Sequence, residues 1–522
     1  MEAKAGEPVN SLKKFLTSRV GSLVLFALWA LVIFHRALGN EYAFDDPQVM
    51  RRLSTPGPVP LSVLWQPANF GNATGFMSWR PLAVGIHIVV DRELFAGNPA
   101  LSHALNILLH ATTGWVLYIL AEALGLRRGA ALFAGLFFIA HPLASEVVLC
   151  AEFRFDTLAL LFAMVAMLLT MKGAEGALRP WYLAAAAGAL LLGLGAKENA
   201  TVAVPLAALL VFLRTRSVGK TALACAPLVL ATLAFVAVWV LFRAPNYGAG
   251  FLGGGGRALG MTNFLVSFEE IYFRKFLMPW PLRVDHDFQP VLSFGDGRVI
   301  RALVVVGLLV GAGVLGSLWR RNILVGCAWI AVGFSTVSQV TPVPDPVAER
   351  FCYIPLAGAA LIAGDVMVLL LQWDARFRGA IFSVAGMLLM IFAGITWRRS
   401  FDWRDDVTLN IANWEQVNAR GEKARLSLGA LYLTRAADAH AAGDHGAARQ
   451  WEAKSESNLV PLMESAGPEP PAEALRMMGV LRLMRGDRDG ARAFAARALR
   501  LEPENPQVQK LAAATGLLGD KK

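Results

Sequence analysis

The adjacent carboxylates Asp45 and Asp46, in the stretch NEYAFDDPQVM (40–50), form a pair suited to acid–base chemistry. A carboxylate held where water meets lipid headgroups can take a proton from an attacking hydroxyl, or bind a metal or a basic partner. Asp-Asp-Pro is also a good turn sequence, so a solvated turn is the competing reading. Other polar groups interrupt apolar surroundings: Trp79-Arg80-Pro81, His103, His141-Pro142, Glu146, Glu152, Arg154, Asp156, Lys197-Glu198, Asp285-His286-Asp287 and Glu349-Arg350. Arg80, Arg154, Lys197 and Arg350 are of a type that holds phosphate, arginine bidentately. Any one of these is equally well explained as a helix-end or interface charge. What they share is their placement in the chain.

That placement depends on elements that must cross a membrane. Of the 522 residues, 56% are hydrophobic and only 17% are charged. The mean hydropathy is +0.49. Soluble domains carry about 25% charged residues, so a wholly soluble enzyme, a disordered chain and a disulfide-built scaffold are excluded. The chain reads as an all-α polytopic membrane protein. A spanning helix needs about 20 apolar residues. Such runs lie at 21–38, 102–124, 129–149, 155–171, 181–196, 199–213, 222–242, 299–319, 322–340, 353–372 and 379–397, which predicts about 11 transmembrane helices. Segment 81–95 is apolar but broken by His87, Asp91 and Arg92, and reads as a helix lying on the outer surface.

The net charge of +10, from 49 basic and 39 acidic residues, sets orientation and does not imply nucleic acid. Lys13, Lys14 and Arg19 precede the first run. Arg127-Arg128, Lys172 with Arg179, Arg214 with Arg216 and Lys220, Arg320-Arg321, and Arg376 with Arg378 occupy alternate short loops. All fall on one side if the N-terminus is cytoplasmic. The longer loops 39–101, 142–154, 243–298 and 341–352, which carry the candidate chemistry, then face the periplasm or lumen. Inside the spans Asp365 and His110 are the clearest ionisable groups. The four cysteines lack metal-ligand spacing. Isolated thiols are expected, with Cys150–Cys352 the one conceivable disulfide.

Three regions follow: a cytoplasmic N-terminus (1–20), a transmembrane domain (21–400) and an extracytoplasmic helical domain (401–522). The last contains ALRMMGVLRLMRGDRDGARAFAARALRLEPENP (474–506) and a related unit at 424–461, turning at Gly486-Asp487 and Gly443-Asp444. The pattern matches the tetratricopeptide helix–turn–helix repeat. A generic helical hairpin is the alternative, and either serves to pack or to bind a protein partner. Ala-, Gly- and Arg-rich usage suggests a bacterial inner-membrane protein.

The order of motifs FDDPQVM, SWRPLAVGIHIVVDRELFAGNPALSHALNILLHA, FAGLFFIAHPLASEVVL, RFDTLALL, KENATVAVPLAALL and AERFCYIP, followed by a repeat-like tail, resembles the transmembrane and tetratricopeptide repeat-containing O-mannosyltransferases and their bacterial relatives, of the GT-C superfamily. The resemblance implies inverting transfer of a sugar from a polyprenyl- or dolichyl-phosphate carrier to a hydroxyl acceptor. It places the catalytic carboxylate on Asp45-Asp46, without separating the two, with Glu146 beside them. The same resemblance carries His141, Glu146, Arg154, Asp156, Lys197, Glu198, Glu349 and Arg350 over from the remaining motifs. With Arg80 these are expected around the donor phosphate and substrate. Basic side chains suffice to stabilise the leaving phosphate without a metal, and a divalent cation on the Asp pair is the alternative. The sequence departs from the family at Ala144, where a second histidine is usual, and at Phe153, in place of the glycine of a GRAD element. Two readings from other classes stand beside it. One is a catalytically inactive scaffold that recruits partners through the tail; the other is a transporter or flippase, for which a continuous polar path would be needed.

Overall fold

The computed structural model describes residues 18–53, 57, 59, 64, 79–242, 256–286, 288–340, 343, 347–415, 421–465 and 469–518. Lys13, Lys14, Asp287 and the middle of the first long loop lie outside these residues. The described residues are helical, with no strand among them, and divide into two compact units, Met1–Asp405 and Asp406–Lys522.

The first unit opens with α1 (Arg19–Phe34), capped by the Ser18 side chain, which accepts from the Gly21 amide. Short α2 (Asp46–Leu53) carries the acidic pair at its start. Next, α3 (Pro81–Ile86) runs into a π-helical turn, His87–Leu94. Then α4 (Pro99–Ala123) begins with an Asn98 cap and Pro99 in its first turn, a preorganised start. After it come α5 (Arg128–Ala140), α6 (Ser145–Leu149), α7 (Arg154–Gly173), α8 (Pro180–Ala196), α9 (Ala203–Thr215) and α10 (Val218–Phe242). The remaining helices of this unit are α11 (Gly256–Ser267), α12 (Arg274–Leu277), α13 (Gly297–Trp319), α14 (Arg321–Ser335), α15 (Tyr353–Trp373) and α16 (Arg378–Asp402).

Among the described residues eight helical stretches are long and apolar enough to cross a membrane, and α5 with Pro142–Leu149, bent by 54°, would make a ninth. Two further stretches read as spans from sequence, α8 and α14, have 17 and 15 residues, short of the usual length. Glycines allow the helices to approach closely. A Cβ on Gly358 of α15 would lie 2.6 Å from the Gly326 carbonyl of α14, so neither position tolerates a side chain without separating the pair. Segment 81–94 forms a helix with an inward face: His87 and Asp91 are fully buried, while Val89 and Leu94 are exposed. Asp365 is not stranded in its span, because Arg320 grips it through two bonds of 3.0 and 2.8 Å and Asn322 adds a third at 3.1 Å. All four cysteines are free thiols.

The second unit is built from α17 (Asp406–Asn410), α18 (Glu422–Ala441), α19 (His445–Ser465), α20 (Ala472–Met484), α21 (Arg488–Leu501) and α22 (Pro506–Ala514). Helices α18 and α19 form one hairpin, and α20 and α21 the next. Their turns place Gly443 and Gly486 at φ of +76° and +79°, a conformation that side chains resist. Leu459, Leu462, Met477, Met478 and Leu481 pack in a core shared by the two hairpins.

Candidate functional site

The two carboxylates that sequence leaves equivalent have different surroundings. Asp46 is fully buried, and its oxygens accept from the Ala151 amide (2.9 Å), the Glu152 amide (2.8 Å) and the Cys150 thiol (3.1 Å). It fastens the start of α2 to the 150–152 turn. Burial pushes its carboxyl up to about 7, against the pull of those three donors and of Arg154. Asp45 is half-buried and lies within electrostatic reach of Glu152. Burial, followed by the charges of Asp45 and Asp46, pushes Glu152 up to about 8, while Arg80 and Arg350 pull it the other way.

Beneath this pair lies a buried polar network. Asp91, which interrupts the apolar helix after α3, accepts from Arg154 Nη1 at 2.6 Å and Nη2 at 3.2 Å, from Ser102 and from His87 Nδ1 at 2.7 Å. Arg154 Nε donates to Asn106 at 2.7 Å, and Asn106 donates in turn to the Val148 and Cys150 carbonyls. Tyr42 and Ser102 share a 2.8 Å hydrogen bond. Burial works to raise Asp91, but the His87 bond and the Arg154 guanidinium outweigh it and hold the carboxyl well below the usual range. An ion pair of this kind is satisfied only when all its members are present. It ties the helical segment after α3 to α4 and α7, next to the Cys150 that donates to Asp46. Arg154 is therefore committed to Asp91.

The remaining cations expected from sequence are also each matched with an acid. Lys197 Nζ sits 2.8 Å from both oxygens of Asp156, and burial lowers the lysine against that attraction. Arg80 makes a two-bond fork to Glu198 at 3.1 and 2.8 Å, with its guanidinium 5.6 Å from the Phe155 ring. Glu146 receives the Arg350 amide at 2.8 Å and its Nη1 at 2.6 Å. The Arg350 guanidinium lies 4.5 Å from the Phe153 ring centroid, within the range of a cation–π contact. Phe153, one of the two departures from the family pattern, thus forms one face of the Arg350 site.

Asp45, Asp46, Arg80 and Arg350 lie within electrostatic reach of Glu152, and Arg80 and Arg350 within reach of Lys197, which makes these six a charged patch. Glu349 turns from it toward the 275–286 segment, accepting from the Arg283 amide at 2.9 Å, with Lys275 Nζ at 3.7 Å. His141 does not join the patch. It is enclosed by Phe137, Phe276 and Phe392, with Nε2 3.3 Å from the Phe276 carbonyl oxygen. Among the described residues no three His, Cys, Asp or Glu side chains converge to hold a metal ion.

No family model matches the chain. A Caenorhabditis elegans protein O-mannosyl-transferase, F38B6.6, is 23% identical over 406 residues, covering 74% of this chain and 56% of that protein. The mouse protein O-mannosyl-transferase TMTC1 is 31% identical over 159 residues, 28% of this chain and 16% of the relative. The chain resembles the protein O-mannosyl-transferases. It spans about half the length of the nematode relative and under a fifth of the mouse one. The apo crystal structure of the Archaeoglobus fulgidus oligosaccharyltransferase aligns with 78% of this chain and 59% of its own, at a TM-score of 0.40 and 13% identity.

Asp91 and Glu152 join the residues that matter here, and for Asp91 the sequence spacing held a signal. His87 and Asp91 stand four apart in an apolar stretch, the spacing that puts both on one helical face. Their character as an inward pair was hidden by the shortness of the run. Glu152 follows Cys150-Ala151 with no pattern of its own; only the fold brings it beside Asp45.

Proposed function

We propose that this chain is an inverting glycosyltransferase that moves a sugar from a polyprenyl-phosphate carrier to a hydroxyl acceptor, protein Ser or Thr among them, on the outer face of the membrane. Asp45 takes the acceptor's proton as its oxygen attacks the anomeric carbon. The bond from that carbon to the phosphate oxygen breaks, and the carrier phosphate leaves with the electron pair from the opposite face. One displacement of this kind inverts configuration. Arg350 and Arg80, already aligned by Glu146 and Glu198, stabilise charge on the departing phosphate without reorganising. The carrier's tail lies among the spans.

The observation that carries this reading is the difference in burial between the two aspartates. Asp46 is fully buried with three protein donors on its oxygens, and Asp45 is half-buried, with its charge acting on the neighbouring Glu152. The names of the relatives point the same way. The bacterial inner membrane, with the N-terminus cytoplasmic and the helical tail periplasmic, is the proposed setting. The test is transfer in membranes expressing the chain, supplied with a panel of radiolabelled polyprenyl-phosphate hexoses. Label passing from one donor to an acceptor supports the reading and names the sugar. No transfer from any donor, with an Asp45→Asn chain still complementing a deletion strain, overturns it in favour of the scaffold.

A further inference from the structure

Arginines outside the charged patch gather in a second place. A cavity of about 530 Å³ lies between the helical segment 268–277, the loop after it and the start of α13. Its walls include Arg274, Arg283, His286, Arg298 and Arg301, and Glu270 is the one carboxylate among the residues lining it. Arg298 is held by Asp296 at 2.8 Å, and Arg301 by Glu269 and Glu270 at 2.9 and 2.7 Å. These two are fixed in place by their acids. Arg274 has a looser contact, 3.5 Å from Glu269. Among the described residues the Arg283 guanidinium has no carboxylate partner, although its backbone amide is anchored to Glu349. The His286 side chain is 8% exposed, and its Nε2 is buried without a hydrogen bond, 3.5 Å from Glu349 Oε1.

The segments that carry these arginines give the ligand a second property. Leu277, Met278, Trp280 and Phe294, close in sequence to Arg274, Arg283 and Arg298, are all exposed. The adjoining helix α13 is apolar enough to span a membrane, and only 11% of that window is buried. A cationic basin with an apolar lip at the end of a lipid-facing helix suits a ligand that is a phosphate at one end and hydrocarbon at the other.

From this combination we infer that the basin walled by Arg274, Arg283 and His286 binds the phosphate of a membrane lipid, with the hydrocarbon chain lying along α13. Arg283 is the principal anion ligand, Arg274 assists, and His286 Nε2 supplies a neutral or charged donor. Glu349 is the link to the patch above, since it holds the Arg283 backbone while the next residue, Arg350, grips Glu146. The phosphate has two possible sources, a bilayer phospholipid or a carrier held outside the charged patch before or after transfer; its assignment to the carrier rests on the glycosyltransferase reading.

The test is equilibrium binding of radiolabelled polyprenyl monophosphate to the full chain in phosphatidylcholine nanodiscs. The polyprenol without phosphate and phosphatidylglycerol serve as competitors. Arg283→Gln is expected to weaken binding at least tenfold and Arg274→Gln by a smaller factor, with polyprenol competing at least tenfold less well than the phosphate. Competition by phosphatidylglycerol that is lost in Arg283→Gln supports the basin and assigns it to bilayer lipid. Binding unchanged in both variants, or polyprenol competing as well as its phosphate, overturns the inference. The assay needs no turnover, so a chain that binds but never transfers sugar fails the glycosyltransferase reading and leaves the basin standing. Arg283 is half-buried and at the cavity wall; a gel-filtration profile matching wild type confirms that the variant is folded.

Discussion

At the scale of residues, what the site can do depends on which charges are committed to one another. Asp91 and Arg154 are both fully buried and share two hydrogen bonds. Removing one leaves the other uncompensated, a loss of about 3–5 kcal/mol. Arg154→Met should lower stability by that order, and Asp91→Leu with Arg154→Met by less than the sum of the single changes. Chemical or thermal unfolding of the four proteins of the cycle measures this coupling. Glu152 supplies a pH prediction. Its folded pKa, raised to about 8, lies above the ordinary carboxyl value, so the folded state favours the protonated form. Its contribution is full below about pH 4 and is lost as pH climbs through about 8. Glu152→Gln should therefore flatten a fall in melting temperature between about pH 4 and about pH 8. A fall unchanged in the variant would assign it to other groups. The types and order of Asp45, Asp46, Glu146, Lys197 and Arg350 were legible from sequence. Their pairing was not, because Lys197–Asp156 joins residues 41 apart and Arg350–Glu146 joins residues 204 apart. Only tertiary structure decides which acid a cation meets.

Elements set how closely these residues can be held. α14 and α15 meet where Gly326 and Gly358 place backbone against backbone. Gly358→Val puts two methyl groups and a branched Cβ into that seam, and overpacking of this kind costs about 1–3 kcal/mol. Because α15 follows directly from Glu349–Cys352, the displacement should also disturb the Arg350–Glu146 pair. The variant is expected to melt lower and to transfer sugar more slowly than Gly394→Val in α16, where a Cβ meets nothing within 4 Å. In the tail, Gly486 at φ +79° allows the α20–α21 turn. Gly486→Ala should cost about 1 kcal/mol, read as roughly fivefold faster amide exchange across that hairpin. Periodicity marked these helices well because a long apolar or amphipathic run leaves little choice. It served less well for the segment after α3. There a helix of interrupted hydrophobicity read as lying on the surface, and its His87 and Asp91 face is fully buried.

For the whole molecule the number of crossing helices decides where the tail lies. Among the described residues the eight long stretches and the bent pair make nine, and α8 and α14 are too short to be counted by length alone. If both or neither cross, the number stays odd and the tail lies opposite the N-terminus; if one crosses, the tail shares its side. Basic loops favour the odd count. In a chain whose native cysteines are replaced, a cysteine at Arg492 should react with a membrane-impermeant maleimide in intact cells, and one at Arg376 only after permeabilisation. The reverse pattern would invert the topology and move the charged patch to the cytoplasmic face.

The central claim is that Asp45 acts on the acceptor and Asp46 on the fold. Asp45→Asn and Asp46→Asn should be purified in parallel, with transfer rate and melting temperature measured for each against wild type. Asp45→Asn is predicted to melt near wild type and to lose about 10²–10⁴-fold in transfer, the contribution of a general base. Asp46→Asn sets an amide nitrogen against the donors at Cys150, Ala151 and Glu152, and should lose about 1–3 kcal/mol of stability. An Asp45→Asn enzyme that still transfers sugar within a few-fold of wild type would contradict the account.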